Sequence, residues 1–443
     1  MSSVPNSTPV EVLIHARWII PVVPEDTVLR DCSLVIDAGK IVALVPTAEA
    51  KRQYSAQRVY ELDRHLLIPG LINAHNHAAM SLLRGFADDH PLQTWLQDYI
   101  WPAEARWVTP EFVRDGAELS AAEMIRSGTT TFADMYFFPE ETAQVAVRSG
   151  MRCQLSFPVL DSPTVWGQGP DDYIRKGLAL RDAYQIHPTI SVAFGPHAPY
   201  TISDEPLQRI AILAEELQAP IHIHLHETAQ EVTDAVAATG ERPIQRMHRL
   251  GLLSPLTQCV HMTQINAEDT ELLQQTGAHV IHCPESNLKL ASGFCPVQSL
   301  LDRGINVALG TDGAASNNDQ DLLGEMRTAA LLAKGVSGDA SAVDAHTALR
   351  MATLNGAKAL GLEQMIGSLE VGKQADIVAI AMDQLEQLPL YNPVSALSYG
   401  SVSQQVTHVW VNGKPLLEER RLTTLDEANI CEKARYWQGR IKA

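Results

Sequence analysis

The sequence predicts an α/β protein that consists of a (β/α)₈ barrel and a small β domain made from the two ends of the chain. Short apolar runs alternate with amphipathic helical segments through the middle of the chain, and this alternation gives eight units. Polar residues cluster at the C-terminal ends of these runs, where the reaction sites of such barrels lie. Both ends of the chain instead carry alternating, β-branched segments, which are typical of strands.

The two ends of the chain read as short strands joined by turns. Near the N-terminus these strands are VEVLIHARWII, CSLVIDAGKIVALV and RVYELDRHLLI, and near the C-terminus they are GKQADIVAIAM and QVTHVWVNGKPLL. The VNGK stretch carries the Asn-Gly signal of a hairpin. We therefore predict the first part of the β domain over residues 1–67, the barrel over 68–368, and the second part of the β domain with a terminal helix over 369–443.

Eight apolar runs mark the predicted barrel strands. They are LINAHNH, TTTFADMY, CQLSFPVL, TISVAFGPH, PIHIHLH, LTQCVHM, AHVIHCPESN and NVALGTDG. The segments between them include PEFVRDGAELSAAEMIRSG, DEPLQRIAILAEELQA and AEDTELLQQTG, whose apolar residues recur at three and four positions, as on one face of a helix. Glycine marks several of the ends, as is common where helices stop.

The composition narrows the classes of function. The 443 residues carry a formal net charge of -18, which repels phosphate backbones and anionic lipid surfaces, so neither nucleic acid nor a membrane is expected as a partner. No stretch approaches the run of about 20 apolar residues that spans a bilayer. Six cysteines are scattered without a CxxC pair, so we expect buried thiols rather than disulfides, and the cytoplasm as the compartment.

Histidines and acidic residues gather at the ends of the predicted strands. They are His75 and His77 on the first strand, His197 on the fourth, His224 and Glu227 on the fifth, His261 on the sixth and Asp312 on the eighth. A single histidine is more often a hydrogen-bonded core residue than a metal ligand. An HxH pair, however, places two imidazoles on one face of a strand, and a third histidine and an aspartate that each end another strand indicate a metal site.

The stretch PIHIHLHET offers three histidines at alternate positions, and their depth distinguishes them. His222 lies two residues deeper, where layers of side chains fill a barrel, so we expect a packed core residue. His226 is expected in the loop beyond the strand. His224 is therefore predicted as the ligand at the rim, and Glu227 is predicted to lean over the metal without binding it.

Two further polar stretches have simpler explanations available. TDGAASNN could be a turn or a phosphate-binding loop, but it lacks the GxxxxGK[ST] spacing and follows the eighth strand, so Asp312 as an oxygen ligand is the better account. HCPESN could be a polar turn, and His282 is given no chemical role.

With these residues collected, the chain resembles the amidohydrolase superfamily and, within it, the deaminases that act on 5′-methylthioadenosine and S-adenosylhomocysteine. The resemblance covers the whole chain and rests on PGLINAHNHAAMSLLRG, FGPHAPY, HIHLHET, HCPESNLKLASG, LGTDGAASNN and GSLEVGKQADIV. It implies a distorted (β/α)₈ TIM barrel, a β-sandwich built from both termini, and one divalent metal. The metal ligands that it implies are His75, His77, His224 and Asp312.

The resemblance also implies the reaction, which is metal-dependent hydrolytic deamination of the 6-amino group of adenosine-type nucleosides. It assigns catalytic roles to Glu227 as a proton shuttle, to His261 as the histidine that orients the attacking water, and to Asp312 as ligand and base. Relatives with two metals carry a bridging lysine on the fourth strand, and TISVAFGPHAPY has none, so one metal is expected. Zinc suits three imidazoles and a carboxylate, although Fe²⁺ fits the same ligands.

Substrate contacts are implied at further positions. Glu104 matches the glutamate that accepts hydrogen bonds from both ribose hydroxyls, and Glu227 and Asp312 would also touch the substrate. The positions that match the purine pocket are Trp95, His197 and Ser316. Trp95 could equally be a packed core residue.

The loop after the third strand departs from the pattern of relatives that handle S-adenosylhomocysteine well. Those relatives place arginine in this loop, whereas DSPTVWGQGPDD has none, and Arg175 is the nearest candidate. A methylthio group needs only an apolar wall, for which Trp166 or Val165 would serve. We therefore expect 5′-methylthioadenosine to be preferred.

Two other functions are compatible with the same residues. One is deamination or hydrolysis of another ring substrate, such as guanine, cytosine or a triazine, on the same metal site. The other is a scaffold without activity, which the complete set of ligands disfavours. The expected partner is a small-molecule nucleoside, and a homo-oligomer is left open by the sequence.

Overall fold

The computed structural model describes residues 7–442, which form two eight-stranded sheets. One sheet is parallel and nearly closes into a barrel, and the other is a mixed sheet that combines strands from both ends of the chain. The predicted (β/α)₈ barrel with an additional β domain is therefore confirmed.

The barrel strands follow one another in chain order around the sheet. Their bounds are Leu71–Asn76, Thr129–Asp134, Arg152–Val159, Ile190–Pro196, Ile221–Leu225, Thr257–His261, His279–His282 and Val307–Leu309. Seven of them lie within the apolar runs that the sequence marks, and the third begins one residue before its run, at Arg152. Each strand is almost wholly buried, as is typical of parallel sheets that are covered by helices.

The barrel is distorted at two places. The fourth and fifth strands are paired in register only at Phe194 and Ile221. The first and eighth strands meet at a seam that is closed beyond the end of the short eighth strand. There the Asp312 amide donates to the carbonyl of His75 at 3.1 Å, and the Thr311 amide donates to the Asn73 side chain at 3.0 Å.

Helices connect the barrel strands along the outside. Their bounds are Pro110–Arg126, Pro139–Ser149, Pro170–Tyr184, Asp204–Leu217, Ala229–Thr239, Pro243–Arg249, Ala267–Thr276, Pro284–Lys289, Val297–Asp302, Ala314–Asn317, Leu322–Ser337, Ala345–Met351 and Leu354–Ala359. Several begin with a side-chain cap of the kind that the sequence suggests. For example, Thr228 accepts from the amide of Glu231, and Asn266 and Asp269 form a reciprocal capping box.

A run of short helices lies between the first strand and its main helix. It comprises the 3₁₀ turn Ala78–Leu83, the helical turn Leu92–Thr94, the π-helical turn Trp95–Ile100 and the helix Trp101–Trp107. π-Helical turns occur often at functional sites because they displace side chains from regular helical positions. This segment carries Trp95 and Glu104, both of which the sequence marks as substrate contacts.

The second sheet runs in the order Arg421–Leu422, Lys414–Glu418, Val406–Val411, Ile377–Ala381, Tyr54–Pro69, Thr8–Ile19, Leu29–Asp37 and Lys40–Pro46. It is accompanied by the helices Thr47–Gln53, Pro393–Tyr399 and Glu427–Lys442 and by the 3₁₀ turns Leu385–Gln387 and Ser403–Gln405. The long strand Tyr54–Pro69 pairs with strands from both ends of the chain, which confirms the single β domain.

The chain passes from this sheet into the barrel at Gly70. A side chain there would place its Cβ 2.1 Å from the hydroxyl of Thr130, so only glycine fits the junction. The change of sheet falls three residues beyond position 67, at which the sequence divides the two domains.

A buried ion pair joins the bottom of the barrel to the second sheet. Arg152 begins the third barrel strand, and its guanidinium donates to the Asp376 carboxylate at 2.6 and 3.2 Å. The same guanidinium also donates to the Asn412 side chain and to the Pro188 carbonyl, while the Asn412 amide donates to Asp376 at 2.8 Å. Both charged side chains are 3% exposed or less.

No helix in residues 7–442 is both long enough and apolar enough to cross a membrane. The six cysteines, all within this range, form no disulfide. Cys153, Cys259, Cys283 and Cys295 are buried, and Cys32 and Cys431 are partly exposed. The expectation of buried thiols is met at four of the six positions.

Candidate metal centre and active site

Four of the predicted ligands converge at the carboxyl rim of the barrel. The Oδ1 atom of Asp312 lies 3.4 Å from Nε2 of His75 and 3.2 Å from Nε2 of His77. Nε2 of His224 lies 3.3 Å from Nε2 of His77. Candidate ligand atoms of His261 also lie within 4.8 Å of those of His75 and His224.

The other ring nitrogens of two of these histidines are held by backbone carbonyls. Nδ1 of His77 lies 2.5 Å from the Met135 carbonyl oxygen, and Nδ1 of His224 lies 2.7 Å from that of His197. Because a carbonyl only accepts, each Nδ1 carries the hydrogen, and each Nε2 presents a lone pair to the cluster. This is the arrangement usual for histidines that bind a metal.

The remaining donors fit a cation equally well. Nε2 of His75 is buried without a hydrogen-bond partner, which is costly unless a ligand binds it. The hydroxyls of Ser286 and Ser316 donate to Oδ2 of Asp312 at 2.7 and 2.8 Å, so its Oδ1 atom faces the imidazoles. Three imidazoles and one carboxylate are a donor set for a divalent metal ion.

Three residues at this rim have a strained backbone conformation. Asp312 has φ +61°, His261 has φ +76°, and His226 has φ +53°, all in the left-handed region that non-glycine residues seldom occupy. Such conformations persist where the surrounding structure holds a side chain in a functional position. Each strained residue directly follows or ends a barrel strand or lies in the loop that comes next.

The histidines of the fifth strand take the three positions that their depth predicts. His224 lies at the rim, His222 lies one layer below and contacts Nδ1 of His75 at 2.7 Å, and His226 follows the strand. The ring of His226 points away from the cluster, since its Nδ1 contacts the Gln264 carbonyl at 2.9 Å and its Nε2 accepts from the Ile244 amide at 3.0 Å.

Glu227 lies beside the cluster and is 7% exposed. Burial, together with the nearby charge of Asp312, raises the pKa of Glu227 to about 8. Its Oε2 atom is 3.8 Å from Nε2 of His261, whose Nδ1 contacts the Asn287 side chain at 2.9 Å. A glutamate with a raised pKa beside a metal site is suited to accepting and returning a proton.

Glu231 holds the backbone on the N-terminal side of Thr228. Its carboxylate accepts from the amides of His226 at 3.0 Å and Glu227 at 2.7 Å. Glu231 was not predicted as a site residue, although its place three residues after the capping Thr228 is a recognisable signal.

A cavity of about 610 Å³ opens directly above the cluster. It is lined by most of the predicted site residues, namely Trp95, Glu104, His197, His224, Glu227, His261 and Asp312, together with His77. Ser316 does not line it and instead donates to Asp312. The cavity volume is that of a site for a small organic ligand.

Glu104 lies in the cavity wall, where burial raises its pKa to about 7. Its Oε1 atom accepts from the hydroxyl of Tyr136 at 2.7 Å. Tyr136 was not predicted from the sequence, although it ends the run TTTFADMY just beyond the second barrel strand. The rule that directed attention to polar residues at strand ends applies to this tyrosine as well.

The far wall of the cavity comes from the loop after the third strand and includes Thr164 and Val165. Trp166 packs beside Tyr173 and does not line the cavity. Among the residues that the structure describes, no lysine or arginine lines the cavity. Arg175 is 69% exposed and pairs with Asp172 at 2.5 Å.

The fold and its rim define a class of protein, the barrel hydrolases that use a divalent metal. The chain belongs to the amidohydrolase family, whose model matches residues 66–416. This confirms the resemblance on which the sequence analysis relied.

Individual relatives narrow the comparison. The chain is 58% identical over 438 residues to a 5-methylthioadenosine/S-adenosylhomocysteine deaminase of Saccharophagus degradans, covering 99% of this chain and 98% of the relative. It is 56% identical to the enzyme of the same name from Teredinibacter turnerae, covering 99% of both chains. The crystal structure of a zinc-bound adenosine deaminase from Xanthomonas campestris has a TM-score of 0.97 and 47% identity, covering 98% of this chain and 99% of that one.

Proposed function

We propose that the protein deaminates the 6-amino group of adenosine-type nucleosides by hydrolysis and converts 5′-methylthioadenosine to 5′-methylthioinosine. S-Adenosylhomocysteine and adenosine are further substrates of the same site. The observation that carries the proposal is one cavity that has the imidazole and carboxylate cluster and Glu227 at its base and Glu104 in its wall. Relatives that are 56% and 58% identical are named as deaminases of these nucleosides.

The proposed metal ligands are His75, His77, His224 and Asp312. Zinc is the proposed ion because it suits three nitrogen donors and one carboxylate and because the related Xanthomonas campestris structure contains it. Fe²⁺ would fit the same donors. When bound, such an ion lowers the pKa of water to about 7 and so supplies hydroxide near neutral pH.

The protein's own residues then move the protons. Glu227 takes a proton from the attacking water and delivers it to N1 of the purine ring, which makes C6 electrophilic. Asp312 helps to pass a proton to the departing ammonia, and His261 orients the attacking water. The balance is one nucleoside and one water consumed for one 6-oxo nucleoside and one ammonia. General acid–base steps of this kind are worth about 10² to 10⁴-fold in rate.

Ribose recognition is proposed for Glu104. The hydrogen bond from Tyr136 occupies Oε1, so Oε2 and the remaining lone pairs are free to accept from sugar hydroxyls. Trp95 and His197, which both line the cavity, would contact the purine. For Ser316, which lies behind Asp312, the support is for orienting that carboxylate rather than for touching substrate.

The position of Glu104 disfavours the other ring substrates. Guanine, cytosine and triazines have no sugar hydroxyls to donate to a carboxylate in the cavity wall, so they would leave it unsatisfied. A scaffold without activity is disfavoured because every predicted ligand is present and converges at the rim.

The test is ammonia release from 5′-methylthioadenosine, S-adenosylhomocysteine, adenosine, guanine and cytosine, measured in parallel on the zinc-loaded protein. The 6-oxo purine product is followed by its altered ultraviolet spectrum. We expect turnover of the three nucleosides and none of the free bases. Preferential turnover of guanine or cytosine would overturn the proposal, as would the absence of ammonia release from every nucleoside.

A further inference from the structure

A line of buried hydrogen bonds runs downward from His75 into the barrel. Nδ1 of His75 is 2.7 Å from Nε2 of His222, and Nδ1 of His222 is 2.5 Å from Oε1 of Gln258. Nε2 of Gln258 donates to the carbonyl of Ala359 at 2.8 Å. The side chains of His75, His222 and Gln258 belong to residues that are no more than 1% exposed.

The backbone carbonyl fixes the direction of every hydrogen bond in this line. A carbonyl oxygen only accepts, so the amide nitrogen of Gln258 must face Ala359, and its oxygen must face His222. Nδ1 of His222 therefore carries the hydrogen. The Nε2 atom of the neutral His222 ring then accepts, so Nδ1 of His75 donates and Nε2 of His75 keeps a lone pair.

We propose that His222 and Gln258 are positioning residues that hold His75 in the one tautomer able to bind a metal ion. The inference rests on the metal role proposed above for His75. The opposite tautomer would aim an N–H at the cation and could not act as a ligand. For His77 and His224 a backbone carbonyl does this directly, whereas His75 lies deeper and reaches its carbonyl through two side chains.

The end of a helix supplies the controlling carbonyl. Ala359 is the last residue of the helix Leu354–Ala359, where carbonyls have no partner within the helix and are free to accept from side chains. The orientation of a metal ligand at the rim is thereby set by a helix end below the barrel interior.

The test measures zinc affinity of the metal-free full-length protein by competition with a chelating indicator dye, and it needs no substrate. His222→Leu removes both hydrogen bonds and should weaken zinc binding by about 10 to 100-fold, the usual effect of losing a partner of a metal-binding histidine. His222→Gln offers one acceptor and one donor in a plane, so it should restore most of the lost affinity.

His226→Leu is the matched control. His226 is as deeply buried as His222 and also makes two ring hydrogen bonds, but these lead to Gln264 and Ile244 and not to a proposed ligand. This variant should lower the melting temperature of the metal-free protein and leave zinc affinity unchanged. If His222→Leu does not fold, Gln258→Met takes its place, because it frees His222 to adopt either tautomer while keeping the ring.

The outcomes distinguish failure of the positioning role of His222 and Gln258 from failure of the proposed metal site. Unchanged zinc affinity in folded His222→Leu or Gln258→Met would overturn the inference, as would a His222→Gln variant that binds no better than His222→Leu. Failure of the wild-type protein to bind zinc would overturn the proposed metal site itself.

Discussion

Two groups of buried charged and polar side chains lie at opposite ends of the barrel, and they differ in how completely they are satisfied. At the bottom, the guanidinium of Arg152 has partners on each of its nitrogens, and both oxygens of Asp376 accept hydrogen bonds. At the rim, Nε2 of His75 has no hydrogen-bond partner, and burial together with the nearby charge of Asp312 raises the pKa of Glu227.

This difference distinguishes polar groups that stabilise the fold from polar groups that are available to a ligand. A buried ion pair with every bond made within the protein holds two domains together and has nothing left to offer a ligand. A cluster with an unpartnered nitrogen and strained backbone at Asp312 and His261 is stable only because other contacts hold it in place. We therefore expect rim substitutions to change chemistry and bottom substitutions to change stability.

The largest effect should follow from His224→Ala. Loss of this imidazole removes one of four proposed ligands, so metal content and deaminase activity should fall together to background. Metal is measured by elemental analysis of the purified variant and activity by ammonia release. Full metal occupancy in this variant would refute the assignment of His224.

Glu227→Gln should separate the metal from proton transfer. The amide keeps the size of the side chain but cannot shuttle a proton, so kcat should drop by about 10² to 10⁴-fold. Metal content and melting temperature should remain those of the wild type. A variant that retains most of its kcat would exclude Glu227 as the shuttle.

Arg152→Met should give the reverse pattern. It leaves Asp376 buried without its partner, which typically costs about 3–5 kcal/mol in the free energy of unfolding. In denaturant titrations we expect this loss, with kcat of the folded variant near the wild-type value. Arg148→Met is the control, because Arg148 is 43% exposed and its ion pair with Glu118 should be worth less than about 1 kcal/mol. A large fall in kcat with unchanged stability would invalidate the comparison.

Glu104→Gln and Tyr136→Phe should alter sugar selectivity. A hydrogen bond to a charged acceptor is worth roughly 1.5–3 kcal/mol, so Glu104→Gln should reduce the preference for ribosyl over 2′,3′-dideoxyribosyl substrates by about 10 to 100-fold. Tyr136→Phe should reduce it less, because the carboxylate remains but loses its orientation. If both variants discriminate as well as wild type, another group must hold the sugar.

The smallest effect concerns the group attached at C5′. No cation lines the described cavity, so kcat/KM for 5′-methylthioadenosine should exceed that for S-adenosylhomocysteine on the order of tenfold, about the worth of one weak charge pair. Val165 lines the cavity and is 40% exposed, so Val165→Arg would place a guanidinium there and should reduce the difference between the two kcat/KM values. Equal or reversed values for the wild type would show that the carboxylate is accommodated in another way.

The sequence was most informative where a residue's role follows from its place on a strand. Alternation and depth distinguished His222, His224 and His226 correctly in position, because the geometry of a strand is regular. The same regularity allowed eight strands to be counted.

The pattern of residues along a strand does not show which distant segments of the chain are in contact. The sequence assigned His222 only to the core, since nothing local shows that Gln258 and Ala359 lie below it. Ser316 was expected in the purine pocket and lies behind Asp312, because the helix Ala314–Asn317 turns its hydroxyl inward. Trp166 and Val165 were both offered as the apolar wall, and of the two only Val165 lines the cavity.

The position of the proposed metal at the seam of the barrel gives it a second role, which is structural. Asn73 and Thr311, which meet there, are 238 positions apart in the chain, and the proposed ligands lie just beyond them on both sides. An ion bound by His75, His77 and Asp312 would therefore cross-link the first strand of the barrel to the last. Cross-links that close long loops remove the most chain entropy from the unfolded state. Removal of the ion would thus loosen the seam between Leu71–Asn76 and Val307–Leu309.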